Sequence, residues 1–165
     1  MRILGVSLLL CGICLAAASC TGSGSAPARP APTTPGHAGN TGRNAGGASL
    51  FRLPMPDGTP VTVKTPAAIF FFTTWCGYCK QAMPEINRLA ARARNGGIRV
   101  YGVDVRENPQ LVDGFVRQYN PNFPVLVDES GAVADRYGVR GYPTFVVIDE
   151  NANVVYNGHE VPRNF

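Results

Sequence analysis

A metal centre is the first thing this sequence fails to supply. It holds five cysteines and two histidines. Cys11 and Cys14 have CxxC spacing but lie inside an apolar N-terminal stretch, and His37 sits in a tract with no apolar pattern. A structural zinc site wants four ligands. If Cys20, just after that stretch, carries lipid, Cys76, Cys79 and His159 are what remains, with no second usable CxxC, so no metal is expected. Charge of one sign is also lacking. With Arg2, Arg29 and Arg43 set aside, 12 Lys and Arg face 11 Asp and Glu from Ser49 onward. That near-neutrality removes the electrostatic case for nucleic acid. The main apolar stretch, Ile3 to Ala18, falls short of the about 20 residues an ordinary membrane span needs. There is no internal repeat.

What is there divides the chain in three. Residues 1–19 have the form of a secretory signal: a charged start at Met1 and Arg2, an apolar middle, then small residues. Export leads to a compartment where disulfides persist. The end, Leu15-Ala16-Ala17-Ala18-Ser19-Cys20, resembles a bacterial lipobox, in which Cys20 becomes the lipidated first residue. Ala17 stands where leucine is usual, and cleavage after Ala18 also satisfies the small-residue rule. A lipid anchor at Cys20 is the expectation, since one acylated cysteine ahead of a tether has an evident use. Residues 20–48 are the tether. From Thr21 to Gly47 nearly every residue is Gly, Ala, Ser, Thr, Pro or Asn, so no core can form there. As a flexible coil it spans about 30 Å. Residues 49–165 make one domain with a modest core.

Within that domain the pattern alternates. Phe51-Arg52-Leu53 and Val61-Thr62-Val63 flank an Asp57-Gly58 turn and read as a hairpin, placed at an edge by Pro54, Pro56 and Pro60. Ala67 to Phe72 is an unbroken apolar run of strand length. Met83, Ile86, Leu89, Ala90 and Ala93 recur at helical spacing from Gly77 to about Arg94, and Asn95-Gly96-Gly97 stops the helix. Pro84 is expected to kink it. Ile98 to Val105 reads as a strand. Asn108-Pro109 starts a helix with Leu111, Val112, Phe115, Val116 and Tyr119 as its apolar face. Phe123 to Val127 is a short strand, Ala132 to Tyr137 a brief helix. Thr144 to Ile148 and Val154 to Tyr156 form a closing hairpin. The order predicts a layered α/β fold.

The stretch Trp75-Cys76-Gly77-Tyr78-Cys79-Lys80 falls where a strand gives way to a helix. A bond between cysteines three apart closes too small a loop to stabilise much by entropy. A redox pair is the reading that uses the spacing. A helix N-terminus favours a thiolate at Cys76, and Cys79, one turn on, can reach it. Trp75 and Tyr78 either shield the pair or pack as ordinary core and rim.

Those residues, with Pro84 and with Val139-Arg140-Gly141-Tyr142-Pro143-Thr144, resemble the thioredoxin family. The leading hairpin and Asn122-Phe123-Pro124-Val125-Leu126-Val127-Asp128 narrow the resemblance to the TlpA/ResA-like extracytoplasmic branch. It implies a thioredoxin fold, a central mixed β-sheet flanked by helices with an N-terminal hairpin. It implies Cys76 as nucleophile, Cys79 as resolving thiol, a redox-active Cys76–Cys79 disulfide as the only redox group, and no further cofactor. Pro143 is implied to be cis, with Trp75, Gly77, Tyr78, Tyr142 and Pro143 forming the substrate surface and the Tyr142 backbone receiving a guest strand.

The departures are equally specific. Phe70 stands where many thioredoxins carry a buried acid, and Ala82 where ResA-like proteins carry a glutamate. Glu85 and Asp104 read as helix-surface and strand-end residues. After Tyr156 the chain has too few residues for the family's closing helix, and His159 reads as exposed. The resemblance implies a membrane-tethered thiol–disulfide oxidoreductase on the periplasmic side of a bacterial membrane, reducing disulfides of secreted proteins or apocytochrome c with electrons from a membrane thiol donor. Its alternatives are a disulfide oxidase or isomerase, and a redox-inert binding lipoprotein.

Overall fold

The computed structural model describes residues 47–163. The signal, the Cys20 anchor and nearly all of the linker lie outside the described residues. The apolar run predicted as a doubly covered strand is the middle of the molecule. β3 (Ala67–Phe72) is buried along its whole length. It pairs in parallel with β4 (Arg99–Val105) and antiparallel with β6 (Thr144–Ile148). Outside these lie β5 (Val125–Asp128), parallel to β4, and β7 (Val154–Gly158), antiparallel to β6, giving the order β5-β4-β3-β6-β7. β1 (Ser49–Pro54) and β2 (Pro60–Lys64) form a separate two-stranded hairpin. Its turn is closed by Thr59 N–H donating to Asp57 Oδ1 at 2.8 Å, with Gly58 at φ 84°.

Because strand side chains alternate, β3 feeds two cores. Ile69 and Phe71 join Val103, Leu126, Val146 and Ile148 on the face that the hairpin covers with Phe51 and Val63. Phe70 and Phe72 join the opposite face, under α1 (Gly77–Asn95) and α2 (Pro109–Tyr119). There aromatic rings form a continuous chain. Phe70 stacks on Phe72 at 5.0 Å and on Phe145 at 5.2 Å; Phe72 meets Phe115 at 4.8 Å, and Phe115 meets Tyr119 at 4.6 Å. Phe70 therefore occupies its position as a packing residue between two strands. Each such ring pair contributes about 0.5–1.5 kcal/mol beyond area burial.

The helices follow the expected stripes. α1 buries Met83, Ile86, Leu89, Ala90 and Ala93, together with Cys79. It ends where the glycines stand, with Ile98 N–H returning to Ala93 O at 3.0 Å and Gly97 at φ 77°. α2 begins at Asn108, whose side chain accepts from Leu111 N–H at 3.0 Å, with Pro109 first in the helix. Leu111 itself is 53% exposed, contrary to its place in the expected apolar face. It stands one residue before the buried Val112, outside the arc that α2 turns to the sheet. The Phe123 strand starts only at Val125, and α3 (Ala132–Arg136) is a single short turn. No helix follows β7 among the described residues; Val161 packs on the α1 face instead and Pro162 is buried.

One residue breaks the apolar interior. Asp104 sits opposite Phe72 on β3 and Val127 on β5, fully buried, with neither carboxylate oxygen hydrogen-bonded. Asp104 does lie near the end of β4, as the strand-end reading has it, but β4 is flanked by β3 and β5 and the side chain has no access to solvent. Burial first, then the adjacent Glu107 carboxylate and the charge of Asp128, push its carboxyl up to about 9.

A raised folded-state value means the folded chain holds a proton that the unfolded chain releases. The stability associated with that proton is complete below about pH 4 and is lost as pH rises toward about 9. Asp104→Asn should therefore stabilise the domain by on the order of 2 kcal/mol at pH 7, with little change at pH 4. Denaturant melts at both pH values check this; equal shifts at the two pH values would contradict it.

Candidate redox site

The site lies at the carboxyl ends of β3 and β4, where the chain leaves the sheet. Thr73 and Thr74 follow β3, and Cys76 then serves as the N-cap of α1. Its backbone is extended (φ −70°, ψ 108°), and its Sγ accepts from Cys79 N–H at 3.1 Å. The sulfur thus occupies the place a serine or aspartate oxygen takes in an ordinary cap. It faces the positive end of a 19-residue helix. Cys76 and Cys79 are bonded to each other, with Cα atoms 5.2 Å apart, inside the usual disulfide range. Cys79 is fully buried and Cys76 is 5% exposed, so only an edge of Cys76 meets solvent.

Around this edge the aromatics turn outward. Trp75 is 69% and Tyr78 76% exposed, so neither ring packs in the core. Gly77 is the first residue of α1, and a Cβ there would meet open space. Trp75 meets the Tyr142 ring edge-on at 6.2 Å, which ties the cysteine loop to the loop before β6. The Tyr142–Pro143 peptide bond is cis, as the resemblance implied. No hydrogen bond among the described residues uses the Tyr142 backbone N–H or C=O. Tyr142 packs on the apolar cluster that contains both cysteines. Burial pushes its phenol up, and the Arg106 cation opposes this. The structure thus sets Trp75, Cys76, Gly77, Tyr78 and Cys79 at the start of α1 with Tyr142 against them, and Pro143 follows Tyr142 through the cis bond.

Three neighbours carried no sequence signal. His159 is exposed, yet its Nδ1 lies 2.6 Å from Pro143 O and 3.3 Å from Thr144 Oγ. Thr144 Oγ–H already donates to Gly141 O at 2.7 Å, so the ring N–H is the donor to Pro143 O. His159 is exposed, as the sequence reading has it, and it is also a strut under the Pro143 loop. The hairpin return of β7 on β6 brings it there. Glu107, half-buried, accepts from both Thr74 N–H and Thr74 Oγ–H, the latter at 2.7 Å. Arg106, at φ 62°, sends its guanidinium to Asp135 at 2.8 Å, across the space that Gly131 leaves empty. Glu85, by contrast, is exposed on α1, as expected. Among the described residues no three His, Cys, Asp or Glu side chains gather to hold a metal, and no helix is long and apolar enough to cross a membrane.

Comparison with known proteins agrees with this geometry. The Redoxin family model matches residues 45–164. Thiol-disulfide oxidoreductase ResA of Bacillus thuringiensis subsp. konkukian (strain 97-27) is 35% identical over 85 residues, covering 52% of this chain and 49% of that protein. ResA of Halalkalibacterium halodurans is 32% identical over 85 residues, covering 52% and 48%. The chain spans about half the length of the curated relatives it matches. Among solved structures, a Chlorobium tepidum protein assigned as the thiol:disulfide interchange protein DsbE is 30% identical with a TM-score of 0.62, covering 69% of this chain and 84% of that one. A secreted Mycobacterium tuberculosis disulfide oxidoreductase homologous to E. coli DsbE is 25% identical with a TM-score of 0.59, covering 67% and 84%. The fold, the capped cysteine pair and these matches together place the chain in the Redoxin family, as a ResA/TlpA-like member of the thioredoxin superfamily.

Proposed function

We propose that this chain is an extracytoplasmic thiol–disulfide oxidoreductase that reduces disulfides in secreted proteins or in apocytochrome c. The observation that carries the reading is the Cys76 Sγ at the α1 N-terminus, bonded to Cys79 and bordered by exposed Trp75 and Tyr78. In the reduced protein the Cys76 thiolate attacks one sulfur of a substrate disulfide. A mixed disulfide forms, and the substrate's other sulfur leaves and takes a proton. Cys79 then loses its proton and attacks Cys76 Sγ. The substrate's second thiol departs, and the Cys76–Cys79 disulfide closes. Two electrons pass to the substrate, and a membrane thiol donor returns them. The unbonded Tyr142 backbone beside Pro143 supports docking of an extended substrate segment by strand addition. The ResA and DsbE relatives support this chemistry and an extracytoplasmic location. The apolar residues ahead of Cys20 support export and a lipid anchor there.

The direction of exchange rests on the potential. A Cys76/Cys79 couple at or below that of thioredoxin, about −270 mV, fits reduction; one far above it fits an oxidase or isomerase. Glutathione equilibration measures it. Cys76→Ser should abolish disulfide reduction, whereas Cys79→Ser should keep the first step and accumulate a mixed disulfide with substrate. Thiol trapping followed by mass spectrometry reads both. Full reductase activity in Cys76→Ser overturns this reading, whereas a Cys76 thiol that titrates unshifted and stays unreactive favours the redox-inert binding lipoprotein. Trp75→Ala and Tyr78→Ala should each raise KM for a protein disulfide by about tenfold while changing kcat less, since exposed aromatics dominate docking energy. Steady-state reduction of a protein substrate tests this; an unchanged KM in both variants would remove the rings from the docking surface.

A further inference from the structure

Asp104 has no use in the chemistry described so far, and a buried carboxyl without a partner calls for one. Its surroundings are defined on every side. Glu107 lies beside it on the loop after β4 and Tyr142 on the loop before β6, while Asp128, at the end of β5, acts only through its charge from the other sheet face, where it accepts from Ala134 N–H. From β3 comes Phe72, its register partner, and beyond Phe72 the hydroxyl of Thr73, itself buried and unbonded. On the same core face α2 supplies only apolar side chains, Val112 and Phe115, and α1, which packs on β4, supplies Met83 and the disulfide-bonded Cys79. The nearby cation, Arg106, is engaged by Asp135. No donor therefore reaches Asp104, and the group it can itself satisfy, if protonated, is the Glu107 carboxylate. That carboxylate already accepts two hydrogen bonds from Thr74, two residues before Cys76.

We propose that Asp104 and Glu107 share one proton and act as a pH-sensitive latch on the turn that carries Cys76. With the proton present, Asp104 donates to Glu107, and Glu107 keeps its remaining lone pairs for Thr74 N–H and Oγ–H. The turn is then held at two points, and one negative charge stands beneath the site. Loss of the proton leaves two carboxylates facing each other in a space without a counterion. The latch is then strained, and a second negative charge opposes a thiolate at the α1 N-terminus. Burial and the two neighbouring acids favour the protonated form well above the ordinary carboxyl range. The pair is a positioning device: it acts on the sulfur through Thr74 and through charge. The inference rests on the reading of Cys76 as the reactive thiol.

The test is the rate of alkylation of the Cys76 thiol in the reduced full chain, measured from about pH 5 to about pH 10, beside the reduction rate of a protein disulfide. The wild-type alkylation profile should show two steps, one for the thiol and a second at alkaline pH where the pair lets its proton go. Asp104→Asn, which keeps the donor to Glu107 but cannot titrate, should give one step and remain folded. Glu107→Ala, which frees Thr74, should slow alkylation at pH 7 by about tenfold, the loss of a charge-assisted hydrogen bond. Glu107→Asp should recover part of it. Infrared difference spectra at pH 7 supply an independent readout, with a protonated-carboxyl band present in wild type and missing in Asp104→Asn. Superimposable profiles for wild type and Asp104→Asn, or absence of that band from wild type, overturn the latch. A wild-type chain that alkylates in two steps yet reduces no disulfide refutes the proposed function and leaves the latch standing.

Discussion

Everything at the redox site depends on one capping bond, Cys79 N–H to Cys76 Sγ. A helix must satisfy its first N–H groups, and here a sulfur does so. The same bond fixes where α1 starts, which turn of it carries Cys79, and which way Cys76 faces. The buried β3 delivers the cap to that place. Its two-sided burial leaves the chain no freedom until Thr73, so the exit point from the sheet is also the entry point of the helix. Function and folding therefore draw on one geometric event, the passage from a doubly covered strand to a capped helix.

A second level of organisation surrounds that event. The loops after β3, after β4 and before β6 meet above the sheet, and each is tied to another by a specific contact. Glu107 binds Thr74, Trp75 meets Tyr142, and His159 supports Pro143. None of these contacts is worth much alone in an exposed setting. Their value lies in joining three loops that would otherwise move separately. Surface loops carry function because a rigid scaffold positions them, and here the scaffold's aromatic chain runs from Phe145 through Phe70 and Phe72 to Phe115 beneath them.

Much of this was legible in the residues. The all-apolar run at β3, the helical spacing of Met83, Ile86, Leu89, Ala90 and Ala93, and the glycine stop gave their elements nearly residue for residue, because each is a local signal. The cysteine pair and Pro143 were legible for the same reason. The misreadings concern non-local placement. Asp104 looks like any acid at a strand end until parallel pairing sets it beside Phe72, and pairing register is a property of two strands. Phe70 showed that the usual acid was missing, but not that another acid arrives on the next strand. His159 is exposed as read, but its bond to Pro143 O arises only because β7 folds back on β6. The cis bond at Thr65–Pro66 had no motif around it at all.

Gly131 carries a consequence for how such a sequence can change over time. Its φ of 75° already disfavours a side chain, and a Cβ there would fall on the Arg106 guanidinium as it reaches for Asp135. A side chain at 131 would push this mobile guanidinium aside, so replacing the glycine trades the Arg106–Asp135 ion pair as well as backbone ease, and the two positions should not change independently.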